Sequence, residues 1–477
     1  MRRIMAIVIP FTVLLLMVSV IFMKPVWLEI LRLRAFDVLH ERYPRAYDAS
    51  LPVKIIDIDE ESLKKFGQWP WPRNLMAQIV QRLTEGGVGA IGLDIVYAEP
   101  DRLSPAFFLA QWKQNTPQWK ALMQQAVDYD QLLAEALSEA RSVTGFVMSS
   151  ESQDAPLLRK DFILIGHDPS PVMAMYQGAV VSLPQLSEAA SGNGALNSLP
   201  DRDGIIRRIP LIFSLKGQLY PSLVTELLRV AQGNISPMVK TVGAGGAQGE
   251  SDVGMDPNIL SVRVGQFTIP TNKGGDFYVH YTRYSPERYV PAWQLLSPDF
   301  DVSSLQRYIV LIGTSAAGLK DIRATPINPL SSGVEIHAQA LEQVISGGFL
   351  SRPDWIEGAE ILGLLGLGIV LIVCMHFLSA LWGALFCGVI LFSSLVGAAY
   401  AFNHFHLMLD AATPAMALLL LYMFESLRRY IITERERREI RHAFVHYMSP
   451  ALVEKLAANP DALKLGGETR DMTILFC

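Results

Sequence analysis

Cysteine is nearly missing from this chain of 477 residues, which has three: Cys374, Cys387 and Cys477. The first two lie in apolar runs and the third is the last residue, so no disulfide framework can be drawn. The long stretch from Lys24 to Trp355 has none, which fits an oxidising compartment outside the cytoplasm. Net charge is also small, -5 at neutral pH, so bulk electrostatics give no hint of nucleic-acid binding. A phosphate-cradling loop is missing too. The glycine-rich stretch from Met238 to Asp256, with Gly243, Gly245, Gly246 and Gly249, lacks the strand before it, the helix after it and the Lys-Ser/Thr step that such a loop needs. It reads as a flexible surface insertion.

What the chain does have is apolar sequence gathered into runs. Half of it is hydrophobic although 18% is charged, the pattern of a soluble domain combined with membrane spans. Ile4 to Met23 is uncharged and about long enough for a hydrocarbon core of roughly 30 Å. Lys24-Pro25-Val26-Trp27 follows it in place of a small-residue cleavage site, so an uncleaved anchor is expected. Three more runs, about Gly358 to Phe377, Leu378 to Phe402 and Leu407 to Phe424, bring the expected number of spans to four. Arg2 and Arg3 precede the first run, and Arg428, Arg429, Arg435, Arg437, Arg438 and Arg441 follow the last. The positive-inside rule therefore places both termini in the cytoplasm and the long segment after the first span outside it. Glu357, Glu360 and Asp410 fall at span ends, where carboxylates at headgroup level are ordinary, and this argues against a channel or transporter.

Between the first span and the others the pattern alternates strands with helices. Val53 to Asp59 reads as a buried strand, Trp71-Pro72-Arg73-Asn74 leads into a helix through about Glu85, and Gly89 to Tyr97 is a second strand. That is the spacing of a β-α-β unit. A helix over roughly Gln118 to Arg141, a strand Val143 to Met148, a strand Tyr308 to Thr314 and a helix Gly333 to Ile345 extend it. The expected fold is a three-layer α/β domain with a largely parallel sheet. Ligands of such sheets bind beyond the carboxyl ends of the strands. Asp57, Asp59, Asp94, Thr314 and Ser315 fall there, as a rim for a cationic or hydroxylated small ligand, or for a metal ion through Asp59 and Asp94. The rival reading is that these acids cap helices and hold loops, that Asp203-Gly204 is an ordinary turn, that Trp69 and Trp71 wedge a rigid turn, and that His337 is a core histidine.

These segments carry a resemblance. Ile58-Asp59-Glu60-Glu61-Ser62-Leu63, Gly67-Gln68-Trp69-Pro70-Trp71-Pro72-Arg73 and Leu93-Asp94-Ile95 are similar to the opening motifs of the CHASE type 2 sensory domain of bacterial receptors. Further pieces match in order: Asn197, Pro200 to Arg208, Tyr220-Pro221-Ser222-Leu223, Gly313-Thr314-Ser315-Ala316 with Asp321, Thr325-Pro326, and Gly333 to Ala338. The resemblance implies an extracytoplasmic sensor of an unidentified ligand placed ahead of three transmembrane helices, in the inner membrane of a bacterium with the sensor in the periplasm. Asp321 joins the candidate ligand-binding residues on this ground.

Past the last span, Arg428 to Arg441 is a charged helix continuous with the membrane helix, with Glu434 and Arg438 at i, i+4 spacing. Leu420, Phe424, Leu427 and Ile431 repeat at four-three-four, a seam through which two chains would pair as a homodimer. The last residues, Phe444 to Pro450 with Leu452 to Leu456, and Leu465 to Cys477, resemble the opening of class III adenylate or guanylate cyclases. That family uses two divalent metal ions, Mg or Mn, held by aspartates, the first of which would follow Cys477. This chain thus has no catalytic residue, metal ligand or cofactor of its own to offer and is expected to be inert alone. The expected organisation is an anchor over 1–24, the sensory domain over 25–355, three transmembrane helices over 356–424, a signalling helix and linker over 425–464, and the start of a cyclase domain over 465–477. A histidine-kinase output is the alternative, though His446-Tyr447-Met448-Ser449-Pro450 lacks the acid after the histidine. A truncated receptor that binds a ligand or a full-length partner is another.

Overall fold

The computed structural model describes residues 2–445, apart from 112–115, 234, 244–256, 317–318 and 320, together with residue 473. The chain forms two compact units. Met1–Glu29, Trp355–Gly397 and Ala411–Cys477 make one, and Ile30–Asp354 with Ala398–Asp410 make the other.

Helix α1 (Arg2–Phe22) stops at Met23, where Lys24 adopts a φ of 46° and Pro25 begins a new turn. The axis bends by 80° into α2 (Val26–Arg42). The sequence reading treated the segment after the anchor as the start of the domain and did not resolve α2. Its Glu29, Arg32, Arg34 and Asp37 break any apolar stripe.

The larger unit is built on a seven-stranded sheet. Strand β1 (Val53–Ile58) leads through α3 (Glu60–Phe66) and α4 (Arg73–Glu85) to β2 (Ala90–Leu93). Then come α5 (Tyr129–Glu139), β3 (Ser142–Ser149), β4 (Gly178–Val180), β5 (Gly192–Ala195), α6 (Leu223–Ala231), β6 (Tyr289–Pro291), β7 (Ile309–Thr314) and α7 (Gly333–Ser346). The order is β6-β1-β7-β2-β3, with β5 parallel and β4 antiparallel to β3, and every other pairing parallel. Period-two alternation sends the two sets of side chains to two cores. Val53, Ile55, Ile309 and Leu311 pack with α6 and α7, while Ile56, Ile58, Val310 and Ile312 pack with α4 and α5. This is the expected three-layer arrangement. Smaller sheets accompany it, one with Ile259–Val264 antiparallel to both Phe267–Pro270 and Met238–Thr241.

Two details differ from the sequence reading. The helix expected over Gln118 to Arg141 is two, Pro117–Gln125 and α5, because Asp128 accepts a hydrogen bond from the Asp130 N–H at 3.0 Å and starts a new helix. The glycine-rich insertion begins later than expected, since Met238–Thr241 is a strand, and 244–256 lie outside the described residues. The Asp203-Gly204 turn also does more than reverse the chain. Arg207, fully buried, is held by Asp37 of α2 through two bonds of 2.7 Å, by Asp201 at 2.8 Å and by Asp203 at 2.8 Å. A buried guanidinium needs such a set of carboxylates.

The smaller unit holds α1 with α8 (Trp355–Phe377), α9 (Ala380–Phe405) as far as Gly397, and α10 (Ala412–Val445). Lys24 meets Glu357 at 2.9 Å at one end. At the other, Arg429 donates to the carbonyls of Leu378 and His376 at 2.9 and 3.0 Å, satisfying groups that the end of α8 leaves unpaired.

Four spans are not what the helices support. Among the described residues two, α8 and α9, are long and apolar enough to cross a membrane, or three if the bent pair α1 and α2 counts as one. The uncharged start of α10 ends at Phe424 before Glu425, about 20 Å of helix at 1.5 Å per residue, short of a hydrocarbon core of roughly 30 Å. The first apolar run ends at the bend at Lys24-Pro25, and Val8–Phe22 counts as a candidate span only together with Val26–Arg42. Helix α10 does continue unbroken from its apolar start into the charged stretch, and Glu434 and Arg438 meet at 3.2 Å. Leu420, Phe424, Leu427 and Ile431 are exposed on it. The cyclase-like motif residues from His446 onward lie outside the described residues, Thr473 excepted.

Candidate functional site: an acidic cavity at the sheet edge

The carboxyl ends of β1, β7 and β2 lie side by side, with Ile58 opposite Thr314 and Leu93 opposite Ile312. Asp57 follows Val53 and Ile55 onto the α7 face of the sheet. There it meets Glu335 in the first turn of α7. Gly313 allows this approach, because a Cβ at that position would stand 2.5 Å from Val334 Cβ. The result is a cavity of about 240 Å³ lined by Asp57, Thr314, Ser315, Asp321, Glu335 and Tyr289, among others. That is the liquid volume of about eight waters.

Its acids differ in how they are held. The Ser315 hydroxyl donates to Asp57 Oδ2 at 2.7 Å, whereas buried Oδ1 has no partner among the described residues. Burial pushes the Asp57 carboxyl up to about 6; the Ser315 hydrogen bond pulls it back, and the charges of Asp59 and Glu335 push it further. Glu335 is anchored from behind by Arg288 at 3.2 Å and by the Gln339 amide at 3.1 Å. Arg288 is itself buried, bonded to Glu342 at 2.7 Å and set over the Tyr47 ring. Burial raises the Tyr289 phenol, and the nearby charge of Glu335 adds to the shift. Asp321 pairs with Arg323 at 3.3 Å. The cavity therefore presents one poised carboxyl beside two acids already supplied with cations.

Asp94 and Asp59 stand apart from it. Asp94 Oδ1 lies 3.9 Å from Nε2 of buried His337. Burial and the nearby Asp321 push Asp94 up to about 8, while burial holds His337 down to about 4. Both shifts favour the uncharged forms of the two groups. Asp59 caps α3, accepting from the Ser62 N–H at 2.8 Å. The two acids are thus not offered to a common ion, and no group of three histidine, cysteine or acidic side chains suited to a metal occurs among the described residues.

The chain matches the CHASE2 domain family over residues 12–373, most of its length. It belongs to the CHASE2 family. CHASE2 is a sensory domain, consistent with a receptor role, and the matched segment takes in part of α1 and nearly all of α8. Searches of curated proteins and of solved structures return no match.

Of the rim expected within the CHASE2 domain, Asp57, Asp59, Asp94, Thr314 and Ser315 with Asp321 added from the resemblance, Asp57, Thr314, Ser315 and Asp321 line one cavity and Asp59 and Asp94 do not. The sequence reading missed Glu335 and Tyr289. Glu335 stands in the Gly333-Val334-Glu335 motif, at the start of a helix that follows β7, which is a signal for a rim position. Tyr289 had no such signal, because only the pairing of β6 with β1, Ile55 opposite Tyr289, brings it there.

Proposed function

We propose that this chain is the sensory and membrane-anchoring part of a bacterial receptor whose CHASE2 domain lies outside the cytoplasm and binds a small cationic, hydroxylated ligand in the rim cavity. The observation that carries this reading is the buried Asp57 carboxylate, with one oxygen bonded to Ser315 and the other left to a ligand donor. A cation there would replace the water that burial removes and return the carboxyl to its charged form. The positive-inside rule supports the orientation: arginines crowd the end of the helix bundle where Arg429 meets α8, which is read as cytoplasmic, and the Lys24–Glu357 end is read as outside.

The proposed output is a class III nucleotide cyclase, forming cAMP from ATP with two divalent metal ions. Its support is the similarity of Phe444 to Cys477 to the opening of that catalytic domain. Two chains would pair along Leu420, Phe424, Leu427 and Ile431.

Titration of the detergent-solubilised chain with ethanolamine, using ethylene glycol as the neutral comparison, tests the ligand class. Ethanolamine should bind at least tenfold more tightly, and its affinity should rise as pH goes from 5 to 7 and Asp57 loses its proton. Equal binding of both probes, or of neither, removes the cationic reading. Cyclic nucleotide formation by a version extended in frame through a cyclase domain, measured with and without ethanolamine, tests the output; a response lost in Asp57→Asn is expected.

A further inference from the structure

A second cavity, of about 730 Å³, opens between the turn Gln68–Arg73 and the irregular segment Ile95–Leu103 after β2. Small-molecule sites occupy roughly 300–1,000 Å³. Its wall includes the half-buried ring of Trp69, and Arg73 and Tyr97 line its buried side. The buried acids here are already used. Asp101 accepts the Arg73 N–H on Oδ2 at 2.7 Å and the Leu103 N–H on Oδ1 at 2.9 Å. Asp130 accepts the Asp101 N–H on Oδ2 at 2.8 Å.

The donors are not used in the same way. Tyr97 is 2% exposed, and its hydroxyl has no partner among the described residues. The Arg73 guanidinium lies 4.2 Å from the centre of the Tyr97 ring. Its Nη2 donates to the Glu99 carbonyl at 3.3 Å, and Nε stands 3.5 Å from Asp130 Oδ1 without a hydrogen bond. A buried hydroxyl with no partner, beside a guanidinium whose Nε makes no hydrogen bond among the described residues, marks a place for an incoming acceptor.

We propose that this cavity binds a small organic acid with a flat apolar body, its carboxylate accepting from the Tyr97 hydroxyl and the Arg73 guanidinium and its body lying against Trp69. A cation would meet the guanidinium, and a neutral alcohol would forgo the charge-assisted bond. The site is distinct from the rim cavity in lining residues and in the sign of the ligand charge.

Calorimetric titration of the detergent-solubilised full chain with benzoate, benzyl alcohol and benzylamine tests this. Benzoate should bind, with the other two at least tenfold weaker. Tyr97→Phe should weaken benzoate about tenfold while the ligand-free protein melts no lower than wild type, because the substitution removes only an unpaired hydroxyl. Trp69→Leu should also weaken benzoate, and Asp57→Asn should leave it unchanged. No benzoate binding, benzyl alcohol or benzylamine binding as well as benzoate, or Tyr97→Phe staying within twofold of wild type would each overturn the proposal.

Discussion

At the residue scale, Asp57 is the most informative position. Its folded pKa, about 6, exceeds its ordinary value of 3.8, so the fold favours the protonated form. The stability it contributes is full below pH 3.8 and is lost as pH rises through about 6, at about 1.4 kcal/mol per pH unit within that window. Asp94, raised to about 8, acts in the same sense, while buried His280 and His337, held to about 4, act in the opposite sense between 4 and their ordinary 6.5. The wild-type profile should therefore be shallow, and the difference between wild type and Asp57→Asn should isolate one carboxyl. Thermal unfolding across pH should show the variant gaining on wild type from pH 4 to 6 and then holding level; a constant difference would mean that Asp57 does not titrate in that window. Arg207 gives the opposite kind of test. Arg207→Met leaves Asp37, Asp201 and Asp203 without their buried counter-charge, an expected loss of about 3–5 kcal/mol in denaturant unfolding. A loss under 1 kcal/mol would show that the carboxylates are solvated or protonated instead.

At the element scale, the question is which acids cap helices and which face a ligand. Asp59→Ala should cost about 1 kcal/mol through the lost cap of α3 and leave ethanolamine affinity within twofold, and a larger change in affinity would put Asp59 in the site. The parallel strands were legible because they alternate so clearly: Ile55 and Ile56 must go to opposite faces, and both faces are covered. The rim followed from that, since Asp57, Thr314 and Ser315 end strands that pair. Other features could not be read in this way. Asp37 and Arg207 are 170 positions apart, and neither is unusual in its own neighbourhood. Tyr289 depends on an edge pairing. The apolar start of α10 looks like a span until its length is set against the bilayer, and α2 has too many charges on all sides to announce a helix.

For the whole molecule, the test is assembly. With Cys374, Cys387 and Cys477 replaced by serine, Leu427→Cys or Ile431→Cys should cross-link into dimers in native membranes, because both side chains are exposed on one helix at the spacing of a paired seam. Monomers alone at both positions would remove the homodimer from the proposal. The cage around Arg207 has a consequence for how such chains diverge. Changing Arg207 leaves three largely buried carboxylates without it, and changing one of Asp37, Asp201 or Asp203 takes away bonds that a buried guanidinium needs, so single steps are penalised although a concerted exchange for apolar residues need not be. Across related chains these four positions should be inherited as a block, kept together or lost together. Lineages caught with only part of the set should be rare.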